Sequence, residues 1–245
     1  MDKMKNGAVL RNGTQRTAKE VFEKYAIVIA FLALLLVVSI LCSSFLTPSN
    51  LILVVNQTSI NGILAVGITY VLITAGIDIS IGSVVGLSGV ISAMVVKAGA
   101  PLPVGFLCGI LAGTLVGVII GILVTKGKLA PYIVTLGFLT IIRGAALLIA
   151  GGRPISSLGD AYGWIRNHNV FGVIPCPVII FLIVVVIGHI ILAHLQIGRY
   201  IYAVGGNSNA AEACGISPNK VKMFVHVFCG PCAGHAGVIG SSRVI

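Results

Sequence analysis

Long apolar runs alternate with short polar breaks along nearly the whole chain. An α-helix needs about 20 apolar residues to cross a hydrocarbon layer of roughly 30 Å. The pattern predicts such runs at about 26–46, 51–75, 79–97, 104–124, 131–150, 175–195 and 223–242. Thr47-Pro48-Ser49-Asn50 closes the first run, and Lys126-Gly127-Lys128 follows the fourth. Two longer polar segments, 151–174 and 196–222, separate the last three. The expected fold is all-α, a polytopic transmembrane helical bundle of about seven spans.

Composition makes the membrane reading firm. The 245 residues are 57% hydrophobic and only 9% charged, whereas soluble domains carry about 25% charged residues. A water-soluble fold of this size lacks the interior to hide so much apolar surface. Lipid as the surrounding solvent removes the difficulty.

The formal charge of +10 raises nucleic acid as a partner. The placement of the charges argues against it. Lys3, Lys5, Arg11, Arg16, Lys19 and Lys24 precede the first run, and most other basic residues flank later ones. Aromatic stacking platforms and a basic groove are missing. Basic residues at span ends follow the positive-inside rule. With the N-terminus inside, the tail, Lys126, Lys128, Arg199, Lys220 and Lys222 put eleven basic residues on the cytosolic side. Lys97, Arg153, Arg166 and Arg243 fall outside. Residues 1–25 are therefore expected to be a cytosolic tail, and 26–245 the transmembrane domain. The run after the tail is too long for a signal-peptide core and lacks a small-residue cleavage site, so it reads as an uncleaved first span.

The six cysteines form no disulfide framework. Cys229-x-x-Cys232 lacks a second half-motif and reads as a pair of small hydrophobes within an apolar run. Gly105, Gly109, Gly113, Gly117 and Gly121 recur every four residues, which exposes a ridge of bare backbone for another helix. His189 and His194 have a spacing that does not place them on one helical face, so an interface role is expected rather than a metal.

Two regions carry more than packing. Asn56, Gln57 and Asn61 open the first, which ends in Gly76-Ile77-Asp78-Ile79-Ser80-Ile81-Gly82-Ser83. Asp78 is the only acidic residue between Glu23 and Asp160. A carboxylate at the bilayer centre costs about 2.5–3.5 kcal/mol on insertion scales. Gly76 and Gly82 permit a helix break, and irregular backbone at depth survives only against protein or a wet cavity. Asp78 fits either a cap or hinge at the inner interface or direct contact with a solute. The second region is the connection 196–222, in which Gly198, Arg199, Gly205, Gly206 and Asn207 lead into a small-residue stretch, Ala210–Cys214, ended by Gly215. A short helix bounded by glycines fits docking in a partner's groove, and an ordinary amphipathic loop fits as well.

The motifs Gly76-Ile-Asp-Ile-Ser-Ile-Gly-Ser83 and Gly198-Arg-Tyr-Ile-Tyr-Ala-Val-Gly-Gly-Asn207 resemble those of permease subunits of bacterial ATP-driven (ABC) importers of the ribose class. Ala210-Ala211-Glu212 and Gly215-Ile216 follow the second motif, and Ala65-Val66-Gly67, Lys126-Gly127-Lys128, Thr135-Leu136-Gly137 and Arg143-Gly144 fit the same pattern in order. The resemblance covers about residues 45–230. It implies a bacterial inner-membrane protein that works with a second permease copy, cytosolic ATPase subunits and an extracytoplasmic sugar-binding protein. It implies a discontinuous helix near the pathway at Gly76, Asp78, Ser80, Gly82 and Ser83; together with the polar Asn56, Gln57 and Asn61 read from the sequence, these are the expected solute-pathway residues. It also implies that Gly198, Arg199, Gly205, Gly206, Asn207, Ala211, Glu212 and Gly215 couple to the ATPase. No cofactor is expected in this chain, because ATP and magnesium would bind the partner. Gly121–Lys128 is a poor imitation of a phosphate loop, since Leu129 stands where Ser or Thr is required. The chain is accordingly not expected to be an enzyme.

The resemblance weakens near the end. Pro231 and His235 are expected to interrupt the last run, and the chain is expected to be truncated relative to the family. The rival reading is an ATPase-independent secondary transporter or channel for a small polar solute.

Overall fold

A computed structural model describes residues 25–156, 158, 162–163, 169–170 and 174–244. The expected cytosolic tail up to residue 24, and Arg166, lie outside the described residues. The chain divides into two compact units at Leu53/Val54.

The first unit holds helix α1, Tyr25–Leu41, and the start of α2, Pro48–Ile73. Pro48 sits at the first position of α2, where its missing N–H would be unpaired anyway. The turn before it is closed by Thr47 Oγ1 donating to the Ser44 carbonyl at 2.7 Å and Asn50 Nδ2 donating to that of Phe45 at 2.8 Å.

The second unit continues α2 and adds α3 (Ile81–Lys97), α4 (Leu102–Thr125), α5 (Pro131–Ile149), α6 (Cys176–Ala193), α7 (Gln196–Gly206), α8 (Ser208–Ala213) and α9 (Pro218–Val244). Asn169–Val170 and Ile174–Pro175, strands β1 and β2, form a two-residue antiparallel ladder, which the all-α expectation did not include. Five helices, α2, α4, α5, α6 and α9, are long and apolar enough to cross a membrane, and α1 and α3 are shorter apolar helices. The chain is thus a multi-pass helical membrane protein.

Helices α3, α4 and α9 form the centre of this unit. The apolar stretch of α9 is 61% buried, against 11% for α6, so α9 is an interior helix and α6 presents its aliphatic side chains outward. The predicted glycine ridge on α4 is the contact surface. A Cβ on Gly113 would lie 2.7 Å from the Gly230 carbonyl oxygen, and one on Gly117 would lie 2.5 Å from that of His226. The fit is reciprocal, since a Cβ on Gly230 would lie 2.6 Å from the Gly113 oxygen and one on Gly234 would lie 2.8 Å from the Ile110 Cα. Bare backbone meets bare backbone, which gives membrane helices dispersion contact that bulky side chains prevent.

Two expectations change here. Helix α9 does not break at Pro231 and runs unbroken from Pro218 to Val244. Proline removes one amide donor from the ladder, yet tight packing against α3 and α4 on a glycine-lined face holds the helix together. His235 Nδ1 sits 2.8 Å from the Pro231 carbonyl, one turn back on the same helix. The rings of His189 and His194 lie 5.5 Å apart despite their spacing. Helix α6 ends at Ala193, so the chain direction changes before His194 and helical periodicity no longer applies.

Candidate functional site

The helix break predicted near Gly76 is present between Ile73 and Ile81. Gly76 N–H donates to the Val71 carbonyl at 3.0 Å and Ala75 N–H to that of Leu72 at 2.9 Å, which terminates α2. The left-handed residue is Ala75, with φ 56°, rather than Gly76. Gly76 serves close approach, because a Cβ there would lie 3.0 Å from Val71 Cγ1. Gly82 takes no part in the break and lies within the first turn of α3.

Asp78 is buried, and its Oδ1 accepts from the Ser80 amide at 2.9 Å and the Ser80 hydroxyl at 2.6 Å. Ser80 occupies the N-cap position of α3 but directs its hydroxyl to Asp78 instead of capping the helix. Asp78 thereby organises the turn into α3, the capping role in an indirect form. It also lines a water-sized cavity of about 10 Å³ together with Gly117, His226 and Cys229. His226 is buried, and its Nδ1 has no hydrogen-bond partner among the described residues. The sequence offered no signal for this His, because Asp78 and His226 meet only through the packing of α9 on the break.

A second, larger cavity lies beside the first turns of α3. It measures about 380 Å³ and is lined by Gly82, Ser83 and Gly86 of α3 and by Leu139, Arg143 and Ala146 of α5. One hydrogen bond joins α3 to α5, Ser83 Oγ donating to the Leu139 carbonyl at 2.8 Å; Thr135 Oγ1 donates to the Pro131 carbonyl of its own helix at 2.9 Å and lies 3.4 Å from that of Ile77 in the break. Of the predicted pathway residues, Gly82 and Ser83 line this cavity and Asp78 lines the smaller one. Gly76 and Ser80 are buried in the break itself. Asn56, Gln57 and Asn61 lie on the far half of α2 and line neither cavity; Gln57 and Asn61 are exposed, and Asn56 is buried with its Oδ1 unpartnered.

The connection 196–222 is not a free loop. Helix α7 buries Ile201 and Val204 in a core shared with Tyr70 and Val71 of α2, Ala211 of α8 and Val221, Val225 and Cys229 of α9, and buries Gly198 against the carbonyls of Ile191 and Leu192 near the end of α6. A Cβ on Gly205 would land on the carbonyl oxygen of Ile73, the last residue of α2, so α7 rests directly on the helix end that precedes the break. Gly205 and Gly206 are helical, and the chain leaves the helix at Asn207. The Asn207 side chain caps α8, its Oδ1 accepting from the Asn209 and Ala210 amides at 3.0 Å each. Gly215, with φ 83°, reverses the chain after α8. The predicted coupling residues therefore fall into two groups. Gly198, Gly205 and Ala211 shape the packing, while Arg199, Gly206, Asn207, Glu212 and the turn residue Gly215 are exposed.

The cysteines of the Cys229-x-x-Cys232 pair are free and buried in two different apolar clusters, as small hydrophobes. Among the described residues no three His, Cys, Asp or Glu side chains converge on one point.

The family described as "Branched-chain amino acid transport system / permease component" matches residues 50–244. The ribose import permease protein RbsC of Bacillus subtilis is 39% identical over 225 residues, covering 91% of this chain and 70% of that protein. RbsC of Escherichia coli K12 is 37% identical over 220 residues, covering 88% of this chain and 68% of that protein. The D-allose transport system permease protein AlsC of the same organism is 34% identical over 201 residues, covering 82% and 61%. No solved structure matches the chain. The broken helix between α2 and α3, the helical connection packed against it and the match over nearly the whole described chain belong together: this protein is a member of the membrane permease family that includes the ribose import permeases.

Proposed function

We propose that this chain is the membrane-spanning permease subunit of an ATP-driven importer that moves a ribose-like monosaccharide into the cytosol. The observation that carries the reading is the seat of α7 on the end of α2. A force applied to the exposed residues of α7 and α8 passes through Gly205 to Ile73, and from there into the break that holds Asp78. The approach of Gly205 to Ile73 supports communication between the proposed coupling and pathway residues through the end of α2.

In this reading two permease copies share the pathway. Cytosolic ATPases grip Arg199, Gly206, Asn207 and Glu212, and an extracytoplasmic binding protein delivers the sugar. Gly198, Gly205, Ala211 and Gly215 keep the coupling element rigid. Gly76, Asp78, Ser80, Gly82 and Ser83 form the moving part of the pathway, and Asn56, Gln57 and Asn61 contribute to its outer portion. The N-terminal tail lies in the cytosol, seven helices cross the membrane, and 196–222 is the cytosolic coupling segment of the domain. The likeness to ribose and allose permeases supports a monosaccharide as cargo. Alternating access follows as a population shift between two arrangements of the break, biased by ATP through α7.

The test is uptake of radiolabelled ribose into proteoliposomes holding this chain with its ATPase and binding protein. ATP-dependent uptake is expected, with none when the ATPase is left out. Uptake by the chain alone would favour the secondary transporter. Glu212→Arg is expected to weaken copurification with the ATPase; unchanged association and uptake would remove the coupling assignment.

A further inference from the structure

Arg143 is the only basic residue in the interior of a described long apolar helix, with α5 extending six residues beyond it to Ile149. Its side chain is exposed, and it makes no hydrogen bond or ion pair with another described residue. A guanidinium facing lipid at depth costs about 2.5–3.5 kcal/mol or more, so such groups turn to a wet cavity or to a partner. Arg143 lines the cavity of about 380 Å³ between α3 and α5. That volume falls within the range of roughly 300–1,000 Å³ typical of small-molecule sites.

The walls of this cavity differ from the surface around it. Elsewhere α5 exposes Ile133, Ile141, Leu147 and Leu148. At the cavity α3 presents Gly82, Ser83 and Gly86, where a Cβ on either glycine would meet nothing within 4 Å, and Ile79, Leu139 and Ala146 complete the wall with apolar surface. Neither glycine is there for helix packing, unlike those of α4. Their effect is to leave room.

The polar groups define the chemistry of the occupant. Arg143 offers only donors. Ser83 spends its proton on the Leu139 carbonyl, so its oxygen is left as an acceptor toward the cavity. A carboxylate would pair with Arg143 but meet the Ser83 lone pairs unfavourably. A hydroxyl group both accepts and donates, and neighbouring hydroxyls on one solute satisfy both.

We infer that the α3–α5 cavity is a transit site for a neutral polyhydroxyl solute, with Arg143 donating to one hydroxyl oxygen and Ser83 accepting from a neighbouring hydroxyl. The inference rests on the importer reading and names the cargo-contacting residues within it. Arg143 acts in solute passage, a role that counting basic residues at span ends does not reveal.

The experiment uses the complete importer in proteoliposomes with radiolabelled ribose. Arg143→Ala is expected to lower uptake at least tenfold, and Arg143→Lys less, because a point charge replaces a planar donor array. Gly86→Leu fills the cavity at a position with free space and is expected to stop uptake while the complex still copurifies. Separately, Gly86→Cys is treated with a charged, water-soluble thiol reagent and the modification is read at that position by peptide mass spectrometry. Modification within minutes is expected if the cavity is wet. Wild-type uptake by Arg143→Ala and Gly86→Leu would overturn the inference, and so would an unreactive Gly86→Cys. If the wild-type importer moves no ribose, the importer reading for this cargo fails, and the thiol reaction still decides whether the cavity holds water.

Discussion

Asp78 shows how one side chain serves two tasks. Its Oδ1 holds the Ser80 amide and hydroxyl, and the same residue lines the cavity that contains His226. Asp78→Ala removes the turn and is expected to cost about 0.5–2 kcal/mol of stability, the range for a lost cap. Asp78→Asn keeps an acceptor oxygen and should cost less. Thermal unfolding in detergent measures both, and an equal loss for the two would assign the effect to charge instead of geometry. A fall in ribose uptake by Asp78→Asn at near-normal stability would add solute contact to the turn role. Ala75 is the neighbouring strained point, since a non-glycine residue in the left-handed region bears about 1–2 kcal/mol of strain. Ala75→Gly is therefore expected to raise the melting temperature. A drop would mean that the lost methyl or the added freedom of the unfolded chain outweighs the relief.

At the scale of elements, two helix contacts depend on the absence of side chains. The α4–α9 crossing has backbone against backbone at Gly113 and Gly230, so even Ala must push the helices apart. Overpacking typically costs about 1–3 kcal/mol. Gly113→Leu is expected to reach or exceed that range and to lower the yield of folded protein in gel filtration. Gly86→Leu, on an open face of α3, is expected to fold normally and serves as the control. The α7–α2 contact is a different case, because under the proposed function it transmits force from the coupling element to the break. Gly205→Val collides with the Ile73 carbonyl and is expected to shift α7 off α2. The complex should still bind its ATPase through the exposed residues, and ATP hydrolysis should lose its dependence on the loaded binding protein. Normal stimulation by that protein would show that force does not pass through Gly205.

At the scale of the molecule, the order of apolar helices sets which connections share a side of the membrane. Seven crossings with the N-terminus inside put Gly99 and Gly151 outside and Gly127 inside. Cysteines introduced at these three glycines and exposed to an impermeant thiol reagent in whole cells are expected to label at 99 and 151 and to resist at 127. Labelling at 127 would invert the orientation. The described part of segment 151–174 packs against the helices. Tyr162 is fully buried, with its hydroxyl 3.2 Å from Ser92 Oγ and 2.8 Å from Ser241 Oγ, joining that segment to α3 and α9. A polar, loop-like sequence gave little warning of this, since burial of Tyr162 depends on two serines far away in the chain.

Apolar periodicity and length alone determined that this chain is a set of membrane helices, and the helix positions agree closely with the runs in the sequence. The physical reason is local: in lipid each span must satisfy its own backbone hydrogen bonds, so a run of apolar residues has one stable structure. The spacing of the α4 glycines likewise announced a helix contact. It did not name the partner, because bare backbone fits any helix of matching shape. The break at 74–80 was legible in Gly76 and Asp78, yet the strained residue proved to be Ala75, whose left-handed conformation belongs to the hydrogen-bonded turn that ends α2. Only the tertiary structure decided that α9 passes Pro231 unbroken, that His226 faces Asp78, that Gly205 touches Ile73 and that Arg143 borders a cavity with Ser83. Each of these joins residues distant in sequence, and such meetings depend on how helices pack, a property that no single segment carries.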